Sequence, residues 1–333
     1  MVLRLTPWTA VLVAISLLTS ACSGGTASDG SVVQVVTTVS PITNIVQNVG
    51  GDRVFVTGIV PEGTNSHTFE PAPADAAVME EAEIVFINGL HLEEPTRELA
   101  QANVGEGVPV VELADRTISE DEYIFDLSFP ESEGFPNPHL WTNPPYAKEY
   151  AEIVRSELSK LDPEGASAYQ ENFDAFARRL DRLDEAVRVA TATVPEEDRK
   201  LLTYHDSFPY FAREYGWEVV GAIQPSDFAE PTPQEVVDLI EQIRAEELPA
   251  IFGSEVFPSP VLEQIAAETG ATYVDDLRDD DLPGDVGDPD HSYLGLMVFD
   301  FTTIVRALGG DPSVFQGIDV TNLSTDEAGG ARY

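Results

Sequence analysis

GASAYQENFDAFARRLDRLDEAVRVATATV, residues 165–194, is the stretch whose reading decides the fold. Tyr169, Phe173, Phe176, Leu180, Leu183 and Val187 recur at spacings of three and four, which puts one apolar stripe along a helix. Thirty helical residues span about 45 Å. That is more than one small α/β lobe needs, so the stretch reads as a helix crossing between two lobes. Outward on both sides, strand-like runs alternate with helical ones. VVQVVT, VFVTGIV, EIVFINGL and VPVVELAD precede the long helix, and KLLTYH, WEVVGAIQ, PAIFGSE and ATYVDDL follow it. Such alternation predicts mostly parallel sheets with helices on both faces. The expected fold is therefore α/β: two Rossmann-like lobes joined by one long rigid helix, with a ligand site in the cleft between them.

The expected boundaries follow from the same pass. Residues 33–163 form the N-terminal lobe, 164–194 the linking helix, 195–320 the C-terminal lobe and 321–333 a flexible tail. Before them, 1–21 read as a signal peptide. Arg4 supplies a short basic region, and Trp8 to Leu18 is an apolar run too short to span a bilayer. Cys22 is the only cysteine, so it has no internal disulfide partner. It opens a tether, 22–32, of linker composition.

The chain of 333 residues carries 59 acidic and 18 basic side chains, a formal net charge of −41. It is poorly suited to nucleic acid or to an anionic membrane surface, because phosphate contacts need Lys and Arg. A solvated acidic shell suits high salt, where self-repulsion is screened. Net charge alone is no argument for a cation-binding role.

Five histidines are present, and three of them sit among aromatic and proline residues: SHTFEP around His67, NPHLWTNP around His139, TYHDSFPYF around His205. His67 and His205 follow predicted strands, and Asp275 follows the strand read as ATYV. Ligands in open α/β sheets bind off the carboxyl ends of strands. Three imidazoles and one carboxylate form a set suited to Zn²⁺ or Mn²⁺. There is no HExxH and no CxxC, and on spacing alone three structural histidines would stand equally well.

The local contexts decide between these readings. IVPEGTNSHTFEPAPADAAVMEEAEIVFINGLHLE, NPHLWTNP, YHDSFPYFAREYGW and TYVDDL resemble, in order and interval, the four metal-ligand regions of the zinc and manganese receptors of ABC importers. The resemblance runs from Val33 to Gly309. LLTSAC resembles the lipobox of bacterial lipoproteins, with Thr19 where Leu is commonest, and implies lipidation of Cys22.

The resemblance implies that His67, His139, His205 and Asp275 hold one metal as transported cargo, with Asp276 as the competing carboxylate and Glu255 near the cleft. It implies permease and ATPase subunits as partners, a membrane attachment through Cys22 on the extracytoplasmic face, and a monomer. A third ligand of His goes more often with zinc, so zinc is expected first, manganese second and iron behind both.

Two departures stand out. The loop DEYIFDLSFPESEGFPNP lacks the His-rich insertion of many zinc members, and Asn137 stands where Asp is frequent. His91 falls at a variable family position, and His291 reads as a turn residue before the last helix. Some family members are described as adhesins, which these residues do not address. Two other classes make different demands on such a histidine set. A metal-dependent hydrolase needs an open coordination position beside a general base. A binder of an organic metal chelate needs a larger apolar cleft.

Overall fold

A computed structural model describes residues 32–126, 128–224, 231–254 and 259–323. Residues 1–31, with Cys22, the signal segment and all of the tether but Val32, lie outside the described residues, as does Glu255.

Each half builds one four-stranded parallel sheet. In the first, β1 (Val33–Thr37), β2 (Val54–Gly58), β3 (Ile84–Ile87) and β4 (Val110–Glu112) lie in the order β2-β1-β3-β4. In the second, β5 (Lys200–Thr203), β6 (Glu218–Ala222), β7 (Ala250–Ser254) and β8 (Thr272–Leu277) lie in the order β6-β5-β7-β8. The two orders are the same when each half is counted from its own first strand. Pairing is parallel throughout, with Val33 opposite Val54 and Val35 opposite Ile84 in one sheet, and Ala250 opposite Thr272 in the other. The central strands IVFI and AIFGS are buried at every position, as strands covered on both faces must be.

Helices α1 (Ser40–Gly50), α2 (Asp75–Glu81), α3 (Glu94–Asn103), α4 (Leu113–Thr117) and α5 (Pro144–Leu161) belong to the first half. Helices α7 (Pro209–Tyr215), α8 (Pro233–Ala245), α9 (Pro260–Thr269) and α10 (Tyr293–Ala307) belong to the second. Several of them start on proline, whose fixed φ and missing N–H suit a first turn.

Between the halves runs α6 (Ala166–Thr191), whose 26 residues span about 39 Å. Tyr169, Phe176, Leu180, Leu183 and Val187 of the predicted stripe are buried. Helix α6 packs on α1 and α5 of the first half and on α7 and α10 of the second. One apolar core consequently runs from β1 and α1 through α5 and α6 to α10, and smaller apolar layers cover the far face of each sheet.

Helix α1 is buried along its whole length, polar residues included. Asn44 and Asn48 donate to Asn322 Oδ1 at 2.9 and 3.1 Å, Asn48 Oδ1 accepts from Leu323 N, and Asn322 donates to the carbonyl of His291. Of the expected flexible tail 321–333, Asn322 and Leu323 are pinned, and 324–333 lie outside the described residues. Buried amides on α1 need partners, and this end of the chain supplies them.

Candidate metal centre

Three loops deliver the histidines. The segment after β2 carries His67, whose N–H donates to Asn65 Oδ1 at 2.9 Å and so tightens the turn. The segment after β5 carries His205, whose carbonyl accepts from Thr203 Oγ1 at 2.6 Å and from Ser207 N at 3.1 Å. His139 precedes the short helical turn Leu140–Thr142, which leads into α5.

Asn137 fixes the His139 ring. Its Nδ2 donates to the Asp206 carbonyl at 2.8 Å and to Asp126 Oδ2 at 3.1 Å, which makes Oδ1 the acceptor end. Oδ1 takes His139 N at 3.0 Å and His139 Nδ1 at 2.8 Å. Nδ1 therefore carries the proton, and Nε2 of neutral His139 presents its lone pair. A second amide, Asn88, donates to the Pro138 carbonyl at 2.9 Å and accepts from Tyr150 OH at 2.8 Å. Tyr210 OH donates to the carbonyl of Asn137.

The three Nε2 atoms meet in a triangle with edges of 3.0, 3.0 and 3.1 Å. Nitrogens about 2.0–2.1 Å from a tetrahedral ion would stand about 3.3 Å apart. The triangle is thus nearly the face that three imidazoles offer a metal, and it is the only cluster of three such groups among the described residues. Burial pushes all three histidines down. His67 and His139 go well below the ordinary value, with neighbouring histidine charge adding to desolvation, and desolvation brings His205 to about 4. All three are held neutral, the form that ligates metal.

Asp275 and Asp276 do not join this group, and both are exposed on β8. The expectation placed the strand's end at Val274. The strand runs on to Leu277, and the carboxyl end that faces the site comes later. There stand Asp279, Asp280 and Asp281. Asp279 Oδ2 lies 4.0 Å from His205 Nε2, and Trp141 Nε1 donates to the Asp279 carbonyl at 2.7 Å. The tryptophan beside His139 thereby ties the acidic loop of one half to the histidine loop of the other. Burial, with the charge of Asp281, pushes the Asp279 carboxyl up to about 7. A nearby cation would offset both effects.

A cavity of about 10 Å³, lined by Asn65, Ser66, His67, His205, Asp279 and Asp280, adjoins the triangle. That is room for about one water-sized sphere. Of the other two histidines, His91 is half-exposed and pairs with Glu94, and buried His291 lies 3.2 Å from the Pro283 carbonyl through Nδ1.

Residues 35–307 match the model of the family described as zinc-uptake complex component A, periplasmic. The chain belongs to that family. Its relatives include the manganese-binding lipoprotein MntA of Halalkalibacterium halodurans, 29% identical over 301 residues, covering 90% of this chain and 97% of that one. The iron-binding protein YfeA of Yersinia pestis is 30% identical over 278 residues, 83% of this chain and 86% of that one. Among solved structures, the periplasmic zinc-binding protein TroA of Treponema pallidum superposes with a TM-score of 0.74 at 28% identity, covering 83% of this chain and 98% of that one. These family members are named for three different metals. Among the described residues no helix is long and apolar enough to cross a membrane.

Proposed function

We propose that this chain captures one divalent transition-metal ion between its two halves and delivers it to the permease of an ABC importer. The observation that carries the reading is the triangle of three Nε2 atoms with edges of 3.0–3.1 Å. His67, His139 and His205 are the proposed nitrogen ligands. Asp279 is the proposed fourth, in place of Asp275, because its carboxylate is the one beside His205.

Zinc is the proposed cargo. Three imidazoles and one carboxylate form a borderline-soft set that suits zinc, and manganese sites draw on more oxygen. Manganese is the competing reading, favoured if Asp280, which lines the same cavity, adds a second carboxylate. The cavity's small volume supports a bare ion over an organic chelate, which needs a pocket of about 300 Å³ or more. Four protein ligands leave no position for a reacting water, so capture is favoured over hydrolysis.

Anchoring is proposed through lipidated Cys22, with permease and ATPase subunits as partners and a monomeric receptor. Ligands come from both halves, so release requires their separation. The core shared through α6 favours a small movement of the halves. A stripped chain offered equal Zn²⁺ and Mn²⁺ tests the reading, beside His205→Ala. One tightly held zinc, lost in the variant, is expected. Manganese retention would overturn the metal choice, and no stoichiometric metal would overturn the function.

A further inference from the structure

Beside the metal centre lies a second, larger cavity, of about 210 Å³. His67 lines it, and so do Phe129, His91, Glu94, Glu133 and Phe135. The ring of Phe129 touches both His67 and His139, with centroids 5.8 and 5.9 Å away. Phe129 thus lines this cavity and packs on two corners of the histidine triangle. His91 is at the outer side, its side chain 46% exposed.

Four features prepare His91 as a ligand. First, Gly89, Leu90 and His91 follow one another at φ 87°, 47° and 65°. Two successive non-glycine residues in the left-handed region persist only where their surroundings over-determine them. Here Leu90 and Leu92 are buried, Leu90 N donates to Asp115 Oδ2 at 2.9 Å, and Leu92 N donates to the Gly89 carbonyl. The turn aims its leucines inward and leaves His91 at the surface.

Second, His91 Nδ1 donates to Glu94 Oε1 at 2.6 Å, and Arg97 binds the other carboxylate oxygen. A carboxylate on one ring nitrogen fixes the tautomer and makes the other nitrogen a better metal ligand. Third, the ring packs on Phe135 with centroids 4.5 Å apart, which restricts its rotation. Fourth, Glu133 adds a carboxylate to the same cavity, where negative charge raises the local concentration of cations.

We infer that His91 is a transient metal ligand on the path to the centre. It takes the ion from water through Nε2 and passes it across the cavity, past Phe129, to His67. The inference deepens the metal-receptor reading and rests on it. Loss of a ligand that acts only along the path raises the barrier equally in both directions and leaves the end states alone.

The test is stopped-flow binding and release of Zn²⁺ by the full chain, read by tryptophan fluorescence. Trp141 is suited to report, since its ring is 5.1 Å from that of His139. His91→Ala is compared with the wild type. His91→Asn serves as a second variant, because asparagine tolerates the left-handed region and lacks the imidazole. Both variants are expected to slow association and dissociation together, by roughly fivefold or more, with Kd unchanged within about twofold. Unchanged rates, or slower association with unchanged dissociation, would overturn the inference and leave the metal-receptor reading standing. A wild-type chain that binds no Zn²⁺ would overturn both.

Discussion

Replacing Asn137 with alanine tests how the metal centre is held together. Asn137 is fully buried and touches no metal-facing atom, yet it serves four groups. Without it, the Nδ1–H and N–H of buried His139 and the carbonyl of Asp206 lose their partner. A buried polar group left unpaired costs about 1–3 kcal/mol, so three of them sum to about 3–9 kcal/mol before any relaxation. Metal affinity should fall separately. The His139 ring loses the acceptor that keeps its proton on Nδ1, and removal of such a partner typically costs about 10- to 100-fold. Denaturant unfolding of the metal-free chain reads the first effect, and chelator-competition titration of Zn²⁺ reads the second. A folded Asn137→Ala chain that holds zinc within about twofold of the wild type would refute the argument that Asn137 sets the His139 tautomer.

Three further outcomes are expected. Asp279→Ala should weaken zinc binding by at least about tenfold, whereas Asp275→Ala should leave it unchanged; equal effects in competition titrations would return the fourth ligand to β8. Glu93→Gln should flatten the pH dependence of stability. Burial raises the carboxyl of Glu93 from 4.5 to about 7, so between those values the folded chain binds more protons than the unfolded one, and stability falls as pH rises. The difference is on the order of 3 kcal/mol, and the variant should therefore gain on the wild type from pH 5 to pH 7.5 in denaturant titrations. Finally, a formal charge of −41 implies that added salt raises the melting temperature; a flat response from low to molar salt would refute it.

Most of the architecture was legible because its signals are local. The 3.6-residue stripe of α6 and the buried runs of β3 and β7 need no tertiary knowledge. The histidine loops were legible because aromatic and proline neighbours mark them. The carboxylate proposed as fourth ligand was not. Between Val274 and Asp279 the choice turns on where an edge strand stops, and TYVDDL carries no glycine or proline to end it after Val274. A strand of six residues from Thr272 carries the loop forward to Arg278 and Asp279. The triplet Asp279–Asp281 was the available signal, since three adjacent acids just beyond a strand repel one another and a cation would relieve that repulsion. The clasp of Asn322 on α1 was illegible for another reason. It joins residues 278 apart in sequence, and no local pattern announces such a partner.

The most direct test of the central claim is a crystal structure of the zinc-loaded chain. One ion is predicted within about 2.0–2.2 Å of Nε2 of His67, His139 and His205 and of a carboxylate oxygen of Asp279. An ion held elsewhere, or a histidine triangle left empty beside saturating zinc, would contradict the account.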